Sequence, residues 1–102
     1  MGSRRRPDYD AVNAAILAWV ATFPADDRLA AHLARLPPGE RSAVAEAARA
    51  VVANAQRFDG SETPLESAEA LGRFGAHLRA RHPGVSDAVI RRLWGFIIWA
   101  NR

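Results

Sequence analysis

The residues of this 102-residue chain best suited to acid–base or metal chemistry are three histidines, His32, His77 and His82. Imidazole titrates near neutrality and binds metals through either ring nitrogen. Their spacing does not make them converge. His77 and His82 are five positions apart, off the i, i+4 relation that lets two helical side chains share a face. Both read as surface histidines. The adjacent carboxylates Asp26 and Asp27 would point apart on a helix, so they mark a helix start more simply than an acid–base pair. There is no cysteine, which excludes disulfides and thiolate metal sites. No lysine is present to hold a phosphate or form a Schiff base. The His-Glu-x-x-His zinc pattern, the glycine-rich phosphate loop and the Gly-x-Ser-x-Gly elbow are also missing. Catalysis needs convergent groups. The expectation is a protein without catalytic residues, metal or cofactor.

Charge is more informative than chemistry here. Every basic residue is arginine, and alanine fills about a fifth of the chain. That pairing suggests a GC-rich bacterial genome more than a functional choice, so arginine number alone says little about nucleic acid. The distribution says more. Residues 1–7 carry Arg4, Arg5 and Arg6, residues 8–66 are net acidic, and residues 67–102 are net basic. Such asymmetry suits an acidic partner or nucleic acid; a solvated arginine face is the plainer account. The arm is followed closely by Asp8 and Asp10, unlike a secretory leader, and the expected location is cytoplasmic.

The elements that must position these groups are five helices and no strand. Tyr9, Val12, Ile16, Trp19, Val20 and Phe23 recur at helical spacing and predict a helix over residues 8–22, stopped by Pro24. Leu29, Leu33 and Leu36 predict a second over 26–36, capped by Asp26 or Asp27. After Pro37-Pro38-Gly39, a third runs from about Glu40 to Arg57 or Phe58. Its stripe is Val44, Ala48, Val51, Val52, Ala55 and Phe58, and Gly60 suits its C-terminal cap. Thr63-Pro64-Leu65-Glu66 has the form of a helix start, with cap, proline at the first position and glutamate at the third. That fourth helix continues to Arg81, with Leu65, Leu71, Phe74 and Leu78 inward. Gly72 and Gly75 lie with Ala68 and Ala76 on a small-residue face suited to close helix packing, against Trp94 or Trp99, with a ligand slot as the less favoured reading. Ser86 caps the fifth helix, which runs to about Asn101 with Asp87 near its positive end. The chain reads as an all-α, single-domain compact bundle: a flexible basic arm over 1–7 and one helical domain over 8–102.

The fifth helix ends in an apolar run, Leu93-Trp94-Gly95-Phe96-Ile97-Ile98-Trp99-Ala100. It exceeds two turns and is apolar all round, yet is far shorter than the roughly 20 residues needed to span a bilayer. Arginines stand only at its start, which disfavours a membrane-surface helix. The expected core includes Trp19, Leu71, Phe74, Leu93 and Ile97. With Leu93, Phe96, Ile97 and Ala100 inward, Trp94 and Ile98 fall to one side near Arg91 and Arg73. Tryptophan and arginine are enriched at binding hot spots. These four residues are therefore the candidate interface for a protein partner or a second copy.

The segment around the last turn offers an alternative. Residues 76–93 resemble the turn and second helix of a helix-turn-helix DNA reader. Ala80 matches the small residue at the helix crossing, Gly84 the turn glycine, and Val85, Ile90 and Leu93 the buried positions. The resemblance implies that Ser86, Asp87, Ala88, Arg91 and Arg92 face the major groove. Arg4, Arg5 and Arg6 would then add phosphate or minor-groove contacts. Arg79 and Pro83 stand where the pattern has apolar residues. The favoured expectation is a small non-catalytic protein-binding module of the regulator, inhibitor, antitoxin or immunity kind, with DNA binding as the alternative.

Overall fold

The computed structural model of the chain describes residues 8–21, 24–58 and 67–100. Within them lie five helices: α1 (Tyr9–Trp19), α2 (Asp26–Leu33), α3 (Pro38–Gln56), α4 (Ala68–Arg81) and α5 (Asp87–Ala100). No named strand occurs among the described residues; Val20 and Pro24 form an isolated bridge. The protein is an all-α single-domain bundle. Its shortest dimension is 18 Å, about two helix layers. α1 packs on α2, α3 and α5, while α4 packs on α5 and α3.

The helix ends differ from the sequence reading where polar bonds decide them. α1 stops at Trp19, because Val20 turns extended with its N–H still bonded to the Ile16 carbonyl. Val20 is fully buried and engages Pro24 across the bend. The Asp8 side chain caps the start of α1 by accepting from the Asp10 N–H. α2 ends at Leu33 instead of Leu36, and Ala25, not an aspartate, occupies its cap position. Asp26 and Asp27 sit in its first turn, where carboxylates favour the positive helix end. Past its end, Arg41 donates to the Ala34 carbonyl at 2.9 Å and the Leu36 carbonyl at 3.0 Å. Those bonds satisfy the carbonyl of the α2 cap residue and one in the turn that leads to α3. α3 starts two residues earlier than expected, with Pro38 at its first position, where a missing N–H costs nothing.

α4 has its cap at Ser67, which accepts from the Ala70 N–H at 3.1 Å. Ser67 is extended, so the helix has not begun there. The start expected at Thr63-Pro64-Leu65-Glu66 lies outside the described residues, as do the Gly60 cap, Thr22, Phe23, Asn101 and the arm over 1–7.

The core joins Val12, Ile16 and Trp19 of α1 to Leu29, Val44, Val51, Phe74, Leu78, Leu93 and Ile97. Of the five core residues expected from sequence, four are buried and Leu71 is not. It is half-buried at the edge of the core, and Ala70 takes the inward position. The aromatic centre is Trp94, whose ring lies 5.0 Å from Phe74 and 5.9 Å, edge-on, from Phe58.

Candidate functional site

The turn between α4 and α5 is tied to α1 by a set of short polar contacts. Tyr9 Oη and His82 Nδ1 are 3.2 Å apart. Asn13 donates from its side-chain amide to the Gly84 carbonyl and accepts from the Ser86 N–H, each at 3.1 Å. Gly84 has no positive φ, so its need for glycine is not conformational. A Cβ at that position would lie 2.4 Å from Tyr9 Cγ. The Tyr9 ring is therefore seated directly on the Gly84 backbone. Partial burial, and after it the neighbouring Arg81 charge, pull the His82 imidazole below its ordinary pKa.

Three of the residues assigned to DNA by the helix-turn-helix resemblance are engaged internally. The Ser86 hydroxyl caps α5 by accepting from the Val89 N–H at 3.2 Å. Asp87 pairs with Arg79 across the turn. Arg79, which breaks the sequence pattern, thus has a structural partner in Asp87. Arg92 donates to the Leu17 carbonyl at 3.3 Å and the Val20 carbonyl at 2.9 Å, closing the C-terminal end of α1. Ala88 and Arg91 remain exposed, while Arg4, Arg5 and Arg6 lie outside the described residues.

The two histidines read as surface residues are half-buried and bonded. His77 Nε2 lies 2.8 Å from the Asn54 carbonyl, and its ring meets Phe58 edge-on. Asn54 is a buried polar residue that the sequence reading did not single out. An alanine-rich stripe hides it, since only the angle of α3 against α4 decides that it faces inward. Among the described residues no group of three acids or histidines could hold a metal ion. Nor is any helix there long and apolar enough to cross a membrane.

The expected partner surface is rotated. Trp94 is 7% exposed, with its ring spent on Phe74 and Phe58, and this corrects its placement at an open edge. The buried arc of α5 covers Val89, Ile90, Leu93, Trp94, Phe96 and Ile97. At 100° per residue that arc is about 160° wide and turned toward Trp94, because α3 and α4 both pack on this side. Ala100, expected inward, is exposed. The outer stripe is Ala88, Arg91, Gly95 and Trp99, with Ile98 half-buried at its margin. Trp99 is 53% exposed and stacks on Phe96 with centroids 6.5 Å apart. Arg73 stays on the exposed surface of α4, where it pairs with Glu69 at 3.5 Å. Of the four expected interface residues, only Arg91 and Ile98 lie on or beside the outer stripe of α5.

Arg91 separates two depressions. One, of ≈ 490 Å³, runs between α4 and α5 over Leu71, Gly72, Gly75, Ala76 and Ile90. The other, of ≈ 430 Å³, lies between Ala21 and the Ala88–Gly95 side of α5. Gly75 is the small residue on which the helices close, since its Cβ would touch Ile90 at 3.6 Å. Ile90, not a tryptophan, thus packs on the small-residue face. Gly72 and Gly95 face open space.

The bundle and its exposed α5 stripe define the molecule as far as class: a small all-α protein. Comparison with protein-family models, with curated proteins and with solved structures returns no match.

Proposed function

We propose that this protein is a non-catalytic cytoplasmic binding module that docks another protein on the outer stripe of α5, in the manner of a small regulator, inhibitor, antitoxin or immunity protein. The observation that carries the reading is Trp99. It is a large apolar side chain left 53% exposed while the rest of the apolar run is mostly covered. Phe96 already stacks on this ring, and the surface it still exposes is buried only when something lies against it. Arg91 is exposed on the same stripe two helical turns earlier, about 12 Å along the axis. Tryptophan and arginine on one stripe form the composition of a hot spot. The polar groups that could act chemically, His77, His82, Asp87 and Arg92, are placed in bonds that hold helices together. This supports a binding role over catalysis. The engagement of Ser86, Asp87 and Arg92 likewise leaves the DNA alternative with less support.

The test is capture from the source cells by the wild type and by Trp99→Ala, each checked for helical content by circular dichroism. Loss of at least about tenfold in the captured partner, with the helical signal unchanged, is expected for Trp99→Ala. Equal capture by both proteins would refute the reading. Salt-sensitive retention of duplex DNA, abolished by Arg91→Ala, would replace it with nucleic-acid binding.

A further inference from the structure

The groove between α4 and α5 combines two properties. Its floor is apolar and shallow, formed by Leu71, Gly72, Gly75, Ala76 and Ile90. Its charges sit on the rim. Both acids of the α4–α5 region are already matched by arginines of that region, Glu69 by Arg73 and Asp87 by Arg79. Arg91 borders the groove, is exposed, and forms no ion pair with any described residue. Residues 67–102 hold six arginines against two acids. Of the charged residues that line the groove, Arg79 and Asp87 cancel as a pair, and the positive charge left is that of Arg91.

We propose that this groove receives an amphipathic helix bearing acidic residues from another protein, with apolar side chains on the groove floor and a carboxylate on Arg91. The proposal rests on the reading of α5 as a protein interface and specifies the partner's chemistry. Charge complementarity selects the acidic class, because an arginine guanidinium takes a carboxylate in a charge-assisted two-pronged bond stronger than a neutral acceptor makes. The apolar floor selects a protein helix over nucleic acid, since phosphate gains nothing from Leu71 and Ile90. Helix-in-groove docking takes anchors at i, i+3/i+4 and i+7. A second copy meeting this face by two-fold symmetry would bring two rims of the same net charge together, which disfavours self-association there.

A displayed library of helical peptides, randomised at every outward position, tests the proposal on the full chain. Binders are selected on the wild type and then measured on Gly72→Phe and Arg91→Glu by fluorescence anisotropy. Gly72→Phe fills the groove at a position where a Cβ meets nothing within 4 Å, so the fold is expected to be retained. Expected are peptides enriched in Asp and Glu beside an apolar i, i+4 stripe, weakened at least about tenfold by either substitution. Neutral or basic consensus peptides would overturn the proposal, as would acidic ones insensitive to both substitutions. So would an empty selection, self-association lost on Arg91→Glu, or duplex DNA binding lost on the same change. Peptides that are not acidic but are lost on Trp99→Ala would overturn it while leaving the broader reading of α5 standing.

Discussion

The two ends of α5 are built on opposite principles. At its start nearly every polar group is spoken for. Ser86 caps the helix, Asn13 holds the backbone of the turn, Asp87 meets Arg79, and Arg92 closes α1. At its end, Trp99 and Ala100 are exposed and Ile98 is half-buried. The difference teaches that polarity and exposure have exchanged their usual places. In the arginine-rich start, which looks like a binding segment, Arg92 is an anchor and Arg91 alone stays exposed; the apolar end, which looks like core, carries a half-exposed ring. A helix fixed at one end by directional bonds presents its other end at a defined angle. That is what a preorganised docking surface requires.

The sharpest way to break this comparison is to truncate the two tryptophans separately. Trp94 is packed between Phe58 and Phe74, so Trp94→Ala is expected to cost about 3–5 kcal/mol of stability. Trp99→Ala removes a half-exposed ring and is expected to cost under about 1 kcal/mol. Urea unfolding of both variants measures the contrast. Equal losses would mean that the end of α5 is as firmly packed as its middle.

The anchored end is probed next through Gly84 and Tyr9. A methyl group on Gly84 would press on Tyr9 Cβ and Cγ, the stiff root of that side chain, at 2.7 and 2.4 Å. Gly84→Ala should therefore cost about 1–3 kcal/mol through overpacking. In the Tyr9→Ala background the same change should cost less, with a coupling of about 0.5–3 kcal/mol. Additive losses would show that the turn is not held by that contact.

Apolar spacing made most of this legible in advance. The stripe of α3, the inward Phe74 and Leu78 of α4, and the Ser86 cap all follow from local rules. The phase of α5 did not. Leu93 to Ala100 carries no charge, so no polar side marks which way it faces. Burial then depends on where α3 and α4 lie, and Trp94 rather than Trp99 fell inward for that reason. Arg92 was illegible for a related cause. Its partners are main-chain carbonyls of Leu17 and Val20, more than seventy residues away, and no side-chain pattern records a carbonyl. In the sequence Gly84 has the look of a turn glycine, whereas its constraint comes from Tyr9 at the other end of the chain.

The smallest expected effect concerns pH and separates the two ends most finely. Burial, then Arg81, lower the pKa of His82 in the folded protein beneath the ordinary 6.5 of the unfolded chain. Above 6.5 the imidazole is neutral in both states and contributes no pH dependence. As pH falls through 6.5 the unfolded chain takes up its proton first, so stability declines. The decline ends once pH has passed below the folded-state pKa, where both states are charged. Carboxylates elsewhere also titrate on the way down, so the measurement is a difference, wild type minus His82→Gln, from urea midpoints across this range. A positive slope with pH is expected in that difference. Amide exchange should place the loosening in residues 82–86 and the facing start of α1, where Tyr9 Oη touches His82 Nδ1, and leave the Ile98–Ala100 end unchanged. Acid loosening confined to that far end, or a flat difference, would show that His82 does not help to hold the anchored end of α5.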